Sequence, residues 1–169
     1  MKEKKERNLE MKEMGKEKDS TMNCARVDFD ARSINEGFAR MVAMGFMMDM
    51  NPTVDELADV KTAVSEAVTN AIIHGYGEDE AQVSKVKMTC LRSGQQLTII
   101  VEDFGVGIAD IEKAREPFYT TKPDMERSGM GFAFMETFMD EVEIWSKPGE
   151  GTRITMSKYI SNVAEVHGE

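Results

Sequence analysis

The segment from Thr53 to Gly77 constrains this chain more than any other. Thr53 followed by Glu56 is a capping box, a reciprocal pairing of side chain and backbone that starts a helix. Val64, Ala67, Val68, Ala71 and Ile72 recur at three- and four-residue steps, so one face of that helix is built for a core. Gly75 and Gly77 are expected to close it. Yet Glu66 and Asn70 stand four apart and project together, with His74 four further on. Such a column is either a solvent-facing polar stripe or a surface for a ligand. His74 reads more simply as a helix-end partner for carbonyls than as a catalytic base.

The rest of the pattern supplies partners for this helix. "ARVDFD" alternates, with Val27 and Phe29 on one side, and reads as a strand. Ser33 with Glu36 is read as a second capping box, opening a helix through about Met48. Met41, Met44, Met47 and Met48 in it are read as core filler, although methionine also adapts to binding surfaces. "VSKVKMTCL" and "QLTIIVED" form a hairpin about Ser93-Gly94. Residues 104–128 are loop-rich, with a short helix near 109–115, and a helix follows over about 129–139. "EVEIWSK" and "TRITMSKY", joined by "PGEG", form a last hairpin. The order predicts an α+β fold: a two-layer α/β sandwich with helices on one face of a mixed, mostly antiparallel sheet.

Residues 1–22 are densely charged and hold too little apolar area to offset ordering entropy, so a disordered extension is expected. Residues 23–160 form the expected domain, and 161–169 a tail. With 21 basic and 31 acidic side chains the net charge is −10. Nucleic acid is therefore disfavoured as a direct partner, and a basic protein surface suits the chain better. Cys24 and Cys90 are read as buried thiols in a reducing compartment. No apolar run is long enough to span a membrane, and no leader is read, so a soluble cytoplasmic protein is expected.

Two further segments carry chemistry. In "EDFGVGI", 102–108, Asp103 ends an apolar strand, and Gly105 and Gly107 let backbone approach a flat ligand closely. A carboxylate there can accept a hydrogen bond from an exocyclic amine such as that of adenine. The same spacing also fits a plain strand-ending turn. In "TTKPDMERSGMGFAFM", 120–135, Gly129 and Gly131 open a helix whose amides favour phosphate. Thr120, Thr121 and Lys122 add hydroxyls and a cation. Asn70 offers an oxygen suited to Mg²⁺, and Glu66 a carboxylate able to take a proton.

Read together, "EAVTNAIIHGY", "DFGVGI" and "SGMGFAFM" resemble the N, G1 and G2 boxes of the GHKL ATP-binding superfamily. "SEAVTNAIIHGY" with "FYTTKPDMERSGMGFAFMETFMDEV" is similar to the sporulation anti-sigma-F factors, serine-protein kinases of spore-forming bacteria. This resemblance covers about residues 24–158. It implies ATP or ADP with Mg²⁺, Glu66 as catalytic base, Asn70 as metal ligand and Asp103 as the acid that reads adenine. It implies that Gly105, Gly107, Gly129 and Gly131 line the nucleotide, with Ser128, Met130 and Phe132 in the third box. Thr152 would support the adenine end, and residues from about 108 to 128 would form a lid. The implied partners are a sporulation sigma factor, bound through the helix carrying Asn35 and Arg40, and an anti-anti-sigma protein phosphorylated on serine. A homodimer through the first strand region is also implied. The alternatives are a general-stress anti-sigma kinase, a histidine-kinase fragment, and an ATP-gated anti-sigma module that transfers no phosphate.

Overall fold

The structure, a computed structural model, describes residues 22–76, 84–118 and 129–161. Five strands form one sheet: β1 (Asn23–Asp30), β2 (Lys85–Ser93), β3 (Gln96–Asp103), β4 (Glu141–Lys147) and β5 (Gly151–Tyr159). Their spatial order is β1-β2-β3-β5-β4. All four pairings are antiparallel, which meets the expectation of a mostly antiparallel sheet. Among the described residues four α-helices accompany them: α1 (Asn35–Met47), α2 (Val54–Asn70), α3 (Ile111–Arg115) and α4 (Gly131–Phe138). α2 lies between α1 and α4.

The two layers meet through the faces that the sequence periods select. Val60, Ala63, Val64, Ala67 and Val68 of α2 are fully buried, as are Ala39, Ala43 and Met47 of α1. They face Val86, Met88 and Cys90 of β2, Leu97, Ile99 and Val101 of β3, and Ile154 and Met156 of β5 in one continuous core. Burying such side chains supplies most of the driving force for folding, at roughly 25 cal/mol per Å² of apolar surface. The alternation along β3 then puts Asp103 on the same buried face, one step beyond Val101. A carboxylate thus ends a row of core positions.

The capping box at Thr53 and Glu56 forms as expected: Glu56 N donates to Thr53 Oγ1 at 3.1 Å and Thr53 N to Glu56 Oε2 at 2.7 Å. The box read at Ser33 and Glu36 is not the cap of α1. The α1 N-cap is Ile34, with no side-chain cap, and the Glu36 carboxylate turns instead toward α2. The end of α2 also differs. Gly75 does not end the helix but lies within a π-helical turn over Ala71–Tyr76 into which it widens. Gly77 lies outside the described residues.

Two readings of buried residues need correction. Cys90 is buried, but Cys24 is exposed, because position 24 falls on the outer face of edge strand β1. Of the four methionines read as filler only Met47 is fully buried; Met41 is 71% and Met48 54% exposed. Met41 lies on the exposed side of α1, and Met48 just past its end.

Candidate nucleotide site

Three separated segments converge beside the π-helical turn. Glu66 and Asn70 are half-buried on α2 and face the first residue of α4. A Cβ on Gly131 would stand 3.1 Å from Glu66 Oε2 and 3.2 Å from Asn70 Oδ1. Glycine at 131 therefore leaves room for the polar column that a core helix would otherwise not carry. Gly129 precedes it with φ +60°, a left-handed conformation that glycine adopts freely. The carbonyl of Gly129 accepts from Phe118 N at 2.9 Å, which ties the start of α4 to the segment after α3. Met130, the N-cap of α4, supplies no side-chain cap hydrogen bond. Phe132 is half-buried and packs on the core.

The second element is Asp103. Its residue is only 6% exposed, and burial pushes its carboxyl up to about 6, opposed by the N–H groups of Gly105 and Thr152. Gly105 N donates to Asp103 Oδ1 at 3.0 Å. The turn that follows is locked to the π-helical turn: Val106 N donates to Gly75 O at 3.0 Å, and a Cβ on Gly105 would lie 1.9 Å from that same oxygen. Phe104 N donates to Tyr76 Oη at 2.7 Å, and Tyr76 Oη donates to Lys85 O at 2.6 Å. Gly107, at φ +69°, packs where a Cβ would meet Lys147 O at 2.1 Å. Thr152 is buried and directly opposite Asp103 across β3 and β5.

The helix-borne column and the Asp103 cradle are thus two ends of one element. Glu66 and Gly75 are nine residues apart, roughly 13 Å at a helical rise of 1.5 Å per residue. A buried acceptor at one end and an uncapped helix start with an amide and a carboxylate at the other suit a ligand with a base and phosphates. Among the described residues, no cluster of three or more His, Cys, Asp or Glu side chains stands ready to hold a metal. A divalent ion at Asn70 would then take most of its oxygens from phosphate and water, the habit of Mg²⁺. The donor set fits that group.

Thr120, Thr121, Lys122 and Ser128, with the second half of the expected lid, 119–128, lie outside the described residues. Asn35 and Arg40, on the helix expected to meet a sigma factor, are both half-buried and engaged. Asn35 Nδ2 donates to Asp30 O at 2.9 Å. Arg40 Nη1 donates to Ser65 Oγ at 2.8 Å and lies 3.3 Å from Glu36 Oε1. Glu36 Oε1 also accepts from Ser65 Oγ at 2.8 Å and Thr69 Oγ1 at 3.0 Å. Ser65 and Thr69 immediately precede Glu66 and Asn70, so α1 grips the helix that carries the column.

Sequence reasoning missed Glu36 in this role, and it missed Tyr76 and Ser146. Ser146 could have been noticed as a polar residue at the inward-facing step after Val142 and Ile144. Its partners, however, lie far along the chain or across a hairpin.

The family model of the histidine kinase-like ATPase domain matches residues 29–158. The chain is 53% identical over 136 residues to the anti-sigma F factor of Clostridium perfringens (strain SM101 / Type A), covering 80% of this chain and 96% of that protein. It is 50% identical over 141 residues to the anti-sigma F factor of Clostridium novyi (strain NT), covering 83% and 97%. The anti-sigma F factor of Thermoanaerobacter sp. (strain X514) is 50% identical over 140 residues, covering 83% and 96%. In fold the chain is similar to the crystal structure of the RsbU and RsbW domains of Rv1364c from Mycobacterium tuberculosis, with TM-score 0.58 at 18% identity. That likeness covers 82% of this chain and 32% of the other. The chain belongs to the anti-sigma F factor family and is built on a histidine kinase-like ATPase domain.

Proposed function

We propose that the chain binds Mg-ATP, holds a sporulation sigma factor inactive, and phosphorylates a serine of an anti-anti-sigma protein. The observation that carries this reading is the packing of Glu66 and Asn70 against Gly131, with the Asp103 cradle at the far end of the same helix. The anti-sigma name of relatives at about 50% identity supports the sigma partner. Phosphoryl transfer asks mainly for positioning and charge neutralisation. Bound Mg-ATP supplies the transferable phosphoryl group and the cation that offsets its charge. Glu66 orients the serine hydroxyl and accepts its proton. Asn70 contributes an oxygen to the ion, and Asp103 accepts from the base. The start of α4 faces phosphate, and the cation of Lys122 and the hydroxyls of Thr120, Thr121 and Ser128 are proposed as further phosphate contacts on the resemblance alone.

The protein partners are assigned to α1. Ile34 is 83% and Met41 71% exposed, and they share one stripe with Phe38. This apolar strip, beside Asn35 and Arg40, suits a protein partner. β1 pairs only with β2 among the described residues, and its open edge suits a second copy of the chain. No helix among the described residues is long and apolar enough to cross a membrane.

The test is incubation with γ-labelled ATP, Mg²⁺ and an anti-anti-sigma protein. Label on a serine of that protein is expected. Nucleotide binding without transfer would contradict the kinase and leave an ATP-gated anti-sigma module.

A further inference from the structure

We infer that Lys158 is a positioning residue for phosphoryl transfer: by tying the last carbonyl of α4 to Asp59 of α2 it fixes how far α4 sits along α2, and so where Gly131 stands against Glu66 and Asn70. This rests on the kinase reading above and names what holds its parts in register.

Lys158 is a charge at a core step. Thr152, Ile154 and Met156 alternate along β5 as buried positions, and Lys158 is next in that row. Its cross-strand partner is Leu97, which is fully buried. The lysine stem therefore runs into the helix layer, and its ammonium bridges two helices. Nζ donates to Phe138 O at 2.8 Å and lies 3.1 Å from Asp59 Oδ2. Phe138 is the last residue of α4, where the final carbonyls have no partner within the helix and a cation complements the helix dipole. The Lys158 side chain is 13% and that of Asp59 29% exposed. Water therefore screens this tie less than the more open pair of Arg115 with Glu136 on the same helix.

Asp59, Glu66 and Asn70 recur at steps of seven and four, so they lie on one face of α2. Asp59 and Glu66 are seven positions apart, as are Gly131 and Phe138, about 10 Å of helical rise in each case. Phe138 is joined to Asp59 through Lys158, and Gly131 meets Glu66 and Asn70. α4 thus runs antiparallel to α2, with matched contact points at its two ends. Between them Met135 packs into the core. Apolar burial is non-directional and lets a helix slide, whereas the lysine bridge is directional. Losing the bridge frees α4 to shift along α2, and a displacement of about 1 Å at a reacting group costs up to about 10²-fold in rate.

The test measures single-turnover phosphorylation of an anti-anti-sigma protein, and ATP affinity by titration calorimetry in Mg²⁺, on the intact chain. Lys158→Met keeps most of the apolar stem and should lower the transfer rate by about 10²-fold, with a much smaller change in the Kd of ATP because the Asp103 end is untouched. Lys158→Arg restores a cationic donor and should recover most of the rate. The decisive readout is coupling to Gly131. A Cβ there would stand 3.1 Å from Glu66 Oε2, so Gly131→Ala should slow transfer in the wild type. It should slow transfer several-fold less in Lys158→Met, where α4 is free to give way. A Lys158 that only stabilises the fold predicts additive losses, since the two sites are a helix length apart. If Lys158→Met does not fold, Asp59→Asn, which leaves the bond to Phe138 O in place, takes its position with the same direction and the same coupling. A wild-type transfer rate in the bridge variant, or an equal cost of Gly131→Ala in both backgrounds, would overturn the inference while the kinase reading stands. A wild type that transfers no phosphate would overturn both.

Discussion

The carboxylate of Asp103 lies against Cα of Gly75: a Cβ built on Gly75 would stand 2.8 Å from both Cγ and Oδ1 of the aspartate. The π-helical turn brings Gly75 there, and Tyr76 bonds the backbone of Phe104 beside it. Asp103, the acid proposed to read adenine, is thus buried by the end of the same helix that carries Glu66 and Asn70. Its environment gives the site a pH signature.

An unfolded aspartate titrates near 3.9, whereas Asp103 in the fold titrates at about 6 because burial disfavours its charge. Between these values the folded chain holds more proton than the unfolded one. The contribution of this group to stability therefore falls as pH rises from about 4 to about 6. A base amine donating to Asp103 favours the ionised form and lowers its pKa. Calorimetry of ATP binding at pH 6 in buffers of different ionisation enthalpy should show proton release. The release should vanish at pH 7.5, where the group is already ionised, and in Asp103→Asn. Proton uptake would contradict the assignment.

Glu66 and Asn70 should separate chemistry from binding. Glu66→Ala should lower phosphorylation by about 10²–10⁴-fold, the usual cost of a lost general base, with ATP affinity nearly unchanged. Asn70→Ala should weaken Mg-ATP binding itself. Quench-flow for the first and titration for the second read the two effects. Wild-type phosphorylation by Glu66→Ala would remove the base.

The Glu36 carboxylate joins Ser65, Thr69 and Arg40 between α1 and α2. Glu36→Ala leaves two hydroxyls and a guanidinium to find other partners, and should cost about 1–3 kcal/mol of stability, read by urea denaturation. Arg40→Glu, which sets two carboxylates together, should weaken binding of both protein partners. Arg40→Gln should retain more stability than Arg40→Glu while still losing partner affinity. Unchanged affinity in both variants would take α1 out of the interface.

The Thr53 cap offers a control remote from the site. Thr53→Ala removes the acceptor of Glu56 N and should lower stability by about 1 kcal/mol without altering nucleotide affinity. Thermal melting and titration on the same sample check both parts.

Much of this was legible because local pattern and tertiary placement agree. The step-three and step-four apolar positions of α2 are its buried positions, and the alternation of β3 carries directly to Asp103. The Glu66 and Asn70 column could be seen as polar, but its facing Gly131 depends on α4 packing beside α2. Local signals misled where a distant partner outcompeted them. Glu36 fits a capping box in sequence, yet Ser65 and Thr69, about thirty residues on, offer its carboxylate two hydroxyls. The π-helical turn after Asn70 holds Gly75 O on Val106 N, a contact that no local pattern encodes. Cys24 was misplaced because burial on an edge strand depends on which face the sheet turns to the helices. Ser146 reads as an ordinary strand residue until β5 returns beside it and Ile108 arrives from thirty-eight residues away.

Isothermal titration of the purified chain with ATP, with and without Mg²⁺, tests the central claim most directly. Saturable binding at one site per chain that strengthens with Mg²⁺ and is weakened by Asn70→Ala and Asp103→Asn is the predicted result. No magnesium-dependent heat of binding, or binding indifferent to both substitutions, would contradict it.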